Sequence, residues 1–120
     1  MAKKISHAHF QNEHQEYKDI QNEAKQTHGQ LPSDRSKKYY KSEELSFVFE
    51  KQLVLELLSQ PGTEYLRVYY GALPKNLAKA GEHGRPTLIL GAAVGNSYFD
   101  VGTFYVEWPE GIDEYGNPLP

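Results

Sequence analysis

Residues 46–71 read SFVFEKQLVLELLSQPGTEYLRVYYG, and this stretch decides the fold. Phe47, Val54, Leu57 and Leu58 share one apolar sector at helical spacing, flanked by Leu53 and Leu55, while Gln52 and Glu56 face the other way. Val48 and Phe49 fall partly outside that sector, so the helix is expected to begin near Phe49 after a short extended piece. Gln60-Pro61-Gly62 ends it, because proline lacks the amide the helical ladder needs and glycine tolerates a left-handed exit. Tyr65 to Tyr70 then alternates with the period of a strand: Leu66, Val68 and Tyr70 on one side, Tyr65, Arg67 and Tyr69 on the other. Thr87 to Leu90, continuing through Gly91, Ala92 and Ala93 to Val94, reads as a second strand. Tyr98 to Trp108 reads as a third extended region with a break near Gly102.

Upstream, Phe10, Glu13, Tyr17, Ile20, Ala24 and Thr27 follow one helical face, with Ser6 as the cap and Gly29 as the stop. The apolar stripe is thin, so this helix is expected to dock on the core or on a partner. Residues 29–42 read as a connector around the turn signal Leu31-Pro32-Ser33-Asp34. Gly71 to Pro86 is too polar and too interrupted for a strand and forms a long connection, of the kind that often carries function. Residues 1–5 and 109–120 are expected to be irregular termini. The expected fold is a single small α+β domain over 1–120, with a mainly antiparallel sheet of three or more strands packed against one or two helices.

A chain of 120 residues buries roughly two-thirds of its unfolded surface on folding, enough for one modest core. Sixteen acidic and 13 basic side chains are interspersed and give a formal charge of −3, which disfavours a nucleic-acid partner. The one basic cluster, Arg35, Lys37, Lys38 and Lys41 with Tyr39 and Tyr40, supports at most weak nucleic-acid binding; a solvated basic face is the simpler account. The chain has no cysteine, which removes disulfides, thiolate metal sites and cysteine nucleophiles together. Met1 to Ile5 carries positive charge, but the polar run from Gln11 to Glu16 stands where a signal peptide needs an apolar segment. No 18-residue apolar run exists, so no membrane partner is expected and cytoplasmic residence is the default, with signal-independent export or packaging left open.

Candidate chemistry is sparse. His7 and His14 lie about 10 Å apart along a helix, too far to share an ion. His9 and Glu13 meet at i, i+4, with Glu16 one turn further, and make half a site; no distant ligand is identifiable, so no metal and no cofactor is assigned. His83 in the glycine-containing loop, with Asp100 beyond the next strand, is the least improbable hydrolytic or ligand-binding pair. No Gly-x-Ser-x-Gly elbow is present, and Gly91 to Gly95 lacks both the spacing and the following helix of a dinucleotide loop. No residue is assigned as catalytic. Arg67 between Tyr65 and Tyr69 forms the most suggestive surface, since a guanidinium can lie over a ring. With Tyr17 and Phe10 these three are the candidates for protein binding.

The helix that leads through Leu57-Leu58 and Gln60-Pro61-Gly62 to Leu66-Arg67-Val68-Tyr69-Tyr70-Gly71 resembles a group of small uncharacterised proteins from Bacteroidota bacteria. In that group an amphipathic helix leads through a Gln-Pro-Gly turn to an Arg-x-Tyr-Tyr strand, then to a strand like Thr87 to Gly91. The resemblance spans Phe10 to Tyr105, with Thr63 where a cysteine is often seen and a long insertion from Lys75 to Pro86. It implies no activity, and it implies a structural role for Arg67, Tyr69 and Tyr70. The expected function is a non-enzymatic interaction or accessory module, a component or cargo of a larger bacterial or phage assembly, binding another protein or itself. A small-ligand binding protein or hydrolase using the His83 loop is the alternative.

Overall fold

The sequence Tyr105-Val106-Glu107-Trp108 lies at the middle of the architecture, because the strand it forms is buried on both faces. The computed structural model describes residues 2–28, 30–42, 46–78, 81–94, 100–101 and 104–108. In chain order these form β1 (Lys3–Ile5), α1 (His7–Gln26), α2 (Asp34–Tyr40), α3 (Lys51–Leu58), β2 (Tyr65–Ala72), β3 (Pro86–Ala93) and β4 (Tyr105–Trp108). The strands make one antiparallel sheet in the order β1-β4-β3-β2. α1 packs on one face and α3 on the other, and α2 packs on α1. The expected α+β class with an antiparallel sheet is therefore what the chain adopts.

Register explains which side chains meet. Tyr69 pairs with Ile89, Ile89 with Glu107 and Glu107 with Lys3, so these four stand on the α1 side. Leu90 and Val106 pair on the α3 side, where Leu57, Ala92 and Trp108 complete the apolar core with Phe47, Phe49, Leu53 and Val54 packed against it. Leu57, Val106 and Trp108 are fully buried. The α3 helix starts at Lys51 after an extended piece, close to the start expected near Phe49. Gly62 takes the left-handed conformation expected of the Gln60-Pro61-Gly62 stop, with φ of 86°.

Two expectations are corrected. Within the terminus read as irregular, Lys3–Ile5 forms edge strand β1, because Ile5 is buried beside Phe10 and Tyr105 while Lys3 and Lys4 find acids on opposite faces. Within the 29–42 connector, Asp34–Tyr40 forms α2; the Ser33 hydroxyl accepts from the Ser36 amide as its N-cap. The helix is short and has no apolar stripe. It is held by ion pairs, which periodicity does not report. The Ser6 cap of α1 is as expected, its hydroxyl accepting from the His9 amide at 3.1 Å. Gly29, Gly102 and the 109–120 tail lie outside the described residues.

Gly71 decides how closely α1 can lie on the sheet. A Cβ there would collide with Thr87 Oγ1, reach 3.0 Å from Ile89 Cδ1 and 3.6 Å from Glu13 Cβ. The missing side chain lets the middle of α1 press against β2 and β3, and this brings a carboxylate into the interior.

Candidate functional site

The α1 side of the molecule carries three groups of interacting side chains, two polar and one aromatic. The innermost consists of His9, Glu13 and Glu107. Glu13 lies on the same buried helical stripe as Phe10, Glu16 and Ile20, and Glu107 comes from the centre of β4. Both carboxylates have no exposed surface, whereas His9 and Lys3 reach solvent. His9 Nε2 is 2.7 Å from Glu13 Oε1 and 3.3 Å from Glu107 Oε1, and Lys3 Nζ is 3.5 Å from Glu107 Oε1. Thr87 Oγ1 donates to Glu13 Oε2 at 3.1 Å, orienting that carboxylate from β3. Neither oxygen of Glu107 accepts a hydrogen bond, since the facing Glu13 carboxylate offers no hydrogen when both are ionised. Burial and the neighbouring Glu13 raise the Glu107 carboxyl above its ordinary value, and burial also raises Glu13.

A second group ties α1 to α2 and to the loop before β3. Arg35 Nη1 donates to both Glu16 oxygens at 3.0 Å, and Arg35 Nε donates to Glu23 Oε1 at 2.8 Å. Ser33 Oγ donates to Glu23 Oε2 at 2.7 Å, Ser36 Oγ donates to the same oxygen, and His83 Nε2 lies 2.5 Å from Glu16 Oε1. Burial opposes ionisation of Glu23, but donors from Arg35, Ser36 and Ser33 outweigh it and hold its carboxyl at about 2.

The third group is aromatic. Phe10 stacks on Tyr105 with ring centroids 4.3 Å apart and meets Tyr69 edge-on at 4.5 Å. The Tyr69 and Tyr105 hydroxyls each donate to Asp100 at 2.8 Å, and His7 Nδ1 lies 3.2 Å from the Tyr105 hydroxyl oxygen. Burial and the Asp100 carboxylate push the Tyr69 hydroxyl up to about 12 and raise Tyr105 further.

No family model, curated protein or solved structure matches this chain. Function must come from the arrangement of its own residues.

The residues singled out by the sequence are dispersed. His83 and Asp100 have different partners, Glu16 for the one and two tyrosine hydroxyls for the other, and they do not form a dyad. Phe10 is buried in the aromatic group and offers no surface to a partner. The Tyr65, Arg67, Tyr69 row points toward the α1 side, where Tyr69 is covered by Phe10 and Arg67 lies 6.0 Å from the Tyr69 ring; only Tyr65 is exposed. Tyr17 is half-buried, its ring 5.6 Å from Tyr39 and 5.4 Å from Tyr70. The opposite row, Leu66, Val68 and Tyr70, is the exposed one. Of the basic cluster, Arg35 is engaged by Glu16 and Glu23, and Lys38 lies 3.9 Å from Glu82. Among the described residues, no helix is long and apolar enough to cross a membrane.

Sequence reasoning reached His9 and Glu13 but missed Glu107. The available signal was a lone carboxylate inside an aromatic and apolar run, and a charge there has no inexpensive place to go unless something meets it.

Proposed function

We propose that this chain is a non-enzymatic interaction module that docks an apolar protein surface on the α3-side face of β2. The supporting observation is the pair Leu66 and Val68, exposed by 43 and 54% on the outermost strand, with the exposed Tyr70 at the end of the row and its ring 5.4 Å from Tyr17 of α1. α3 packs chiefly on β3 and β4, and its own Leu55 and Leu58 add exposed apolar surface. Large apolar side chains exposed side by side on a strand mark a candidate contact site. His14 Nδ1 lies 2.7 Å from the Tyr70 carbonyl oxygen, so α1 occupies part of the outer edge of β2 and the docking is made by side chains more than by an added strand. The partner is another protein or a second copy of the chain, and cytoplasmic residence belongs to the same proposal.

The test combines sedimentation velocity of the purified chain with native pull-down and crosslinking mass spectrometry. Val68→Asp is the probe, because an exposed substitution changes stability by no more than about 0.5 kcal/mol. Contacts that map to Leu66–Tyr70 and vanish in the folded variant support the reading. A monomer with no crosslinks through β2, or contacts unchanged in Val68→Asp, rejects it.

A further inference from the structure

The His9, Glu13 and Glu107 group is chemically incomplete as two carboxylates and one imidazole. We propose that it is a binding site for a divalent first-row transition-metal ion, held by His9 Nε2 and one oxygen each of Glu13 and Glu107. One ligand atom from each residue lies within 4.8 Å of the others. At metal–ligand bonds of about 2.0–2.2 Å, neighbouring donors of a tetrahedral ion stand ~3.3–3.6 Å apart. The His9 to Glu107 separation of 3.3 Å is at the near end of that range, and the 2.7 Å His9 to Glu13 contact needs to open by ~0.6–0.9 Å. His9 is on the first turn of α1, the more exposed side of the group, where such a movement disturbs least.

The independent observation is Glu107. Its side chain has no exposed surface, it is aimed at His9 and Glu13, and neither oxygen accepts a hydrogen bond. Native interiors rarely leave a buried carboxylate with no hydrogen bond. Glu107 has only the longer ion-pair contacts to His9 and Lys3, and a cation between the two glutamates supplies the close contact and removes the repulsion. Lys3 does not serve: it is half exposed and its ammonium stays 3.5 Å from the nearer oxygen. Thr87, donating to the outer oxygen of Glu13, supplies the orienting contact that metal-bound carboxylates usually have. One imidazole with two carboxylates suits Zn²⁺ or Mn²⁺, and three protein donors leave coordination positions for water on the side of His9 and Lys3.

The experiment strips the full chain with chelator, then follows Zn²⁺ and Mn²⁺ uptake by equilibrium dialysis with elemental mass spectrometry, alongside thermal unfolding. One equivalent per chain and a rise in Tm are expected. Glu107→Gln and His9→Ala should each weaken uptake by at least about tenfold and abolish the Tm rise. His28→Ala, altering an exposed histidine beyond the far end of α1, should change neither. His9→Ala removes a part-exposed side chain and keeps the test alive if Glu107→Gln fails to fold. No uptake by the wild-type chain at roughly 0.1 mM free ion, or uptake equal in the folded variants, overturns the site.

Discussion

The two faces of the sheet bury similar strands under unlike helices. On the α3 side, Leu57 belongs to one cluster with Leu90, Ala92, Val106 and Trp108, whose polar side-chain group is the buried Trp108 indole N–H. On the α1 side, at the same depth, Glu13 and Glu107 lie beside Ile5, Phe10, Ile89 and Tyr105. β4 supplies both environments from four consecutive residues, Tyr105 and Glu107 to one and Val106 and Trp108 to the other. Apolar burial stabilises without needing exact partners, whereas buried polar groups cost free energy unless each is satisfied. The α3 side therefore supplies folding energy, and the α1 side holds groups whose placement folding energy alone does not explain.

The hardest blow to this division is Leu57→Ala. Leu57 is fully buried against the Trp108 cluster, and its truncation should cost about 2–5 kcal/mol in urea unfolding followed by the single tryptophan. The folded variant should still take up Zn²⁺, since the cavity opens on the face away from Glu13. A loss below about 1 kcal/mol would mean that the α3 side is not the main store of stability.

Gly71→Ala strikes the other side. The added methyl group meets Thr87 and Ile89, and overpacking of this kind costs about 1–3 kcal/mol. Because Thr87 orients Glu13, the same variant should also weaken Zn²⁺ uptake, which Leu57→Ala should spare. Unfolding and dialysis on both variants separate the two faces. Equal metal binding in Gly71→Ala and the wild type would show that the approach of α1 does not set the site.

The difference between the faces also explains what was legible in the sequence. Helical spacing found α1 and the apolar sector of α3, Gln60-Pro61-Gly62 found the helix stop, and alternation found β2, because each signal is local. β1 and α2 were not legible. Lys3–Ile5 is a strand only because β4 lies beside it, and Asp34–Tyr40 is held as a helix by Glu16 and Glu23, which lie far away in the chain. Alternation in β2 separated Leu66, Val68 and Tyr70 from Tyr65, Arg67 and Tyr69 but did not say which row faces outward. That depends on α1 covering Tyr69. The same limit hid the site: His9 and Glu13 are one turn apart and visible, whereas Glu107 reaches them only through strand register. In β4, burial on both faces erases the apolar and polar alternation that marks a half-exposed strand.

The smallest effect tests whether charge, and not apolar contact, fastens the outer part of the α1 side. Glu23 has a folded pKa of about 2 against an ordinary value of 4.5. A carboxyl with a depressed pKa contributes stability that is fully present above its ordinary value and is lost as pH falls through the folded one. Wild-type chain in metal-free buffer should therefore lose about 1–2 kcal/mol from this group as pH falls from ~4.5 to ~2, after allowance for screening of a partly exposed pair. Glu23→Gln keeps one acceptor oxygen, enough for either Arg35 or the two serines, and has no charge to titrate. Its stability should be lower than wild type at pH 7, and the two should converge toward pH 2, as read from paired urea titrations. The deficit of Leu57→Ala should stay constant over the same range, because the cluster it belongs to among the described residues is made of non-titrating side chains. Parallel curves for Glu23→Gln and wild type would remove the ionic account of α2 and leave that helix to be explained by packing.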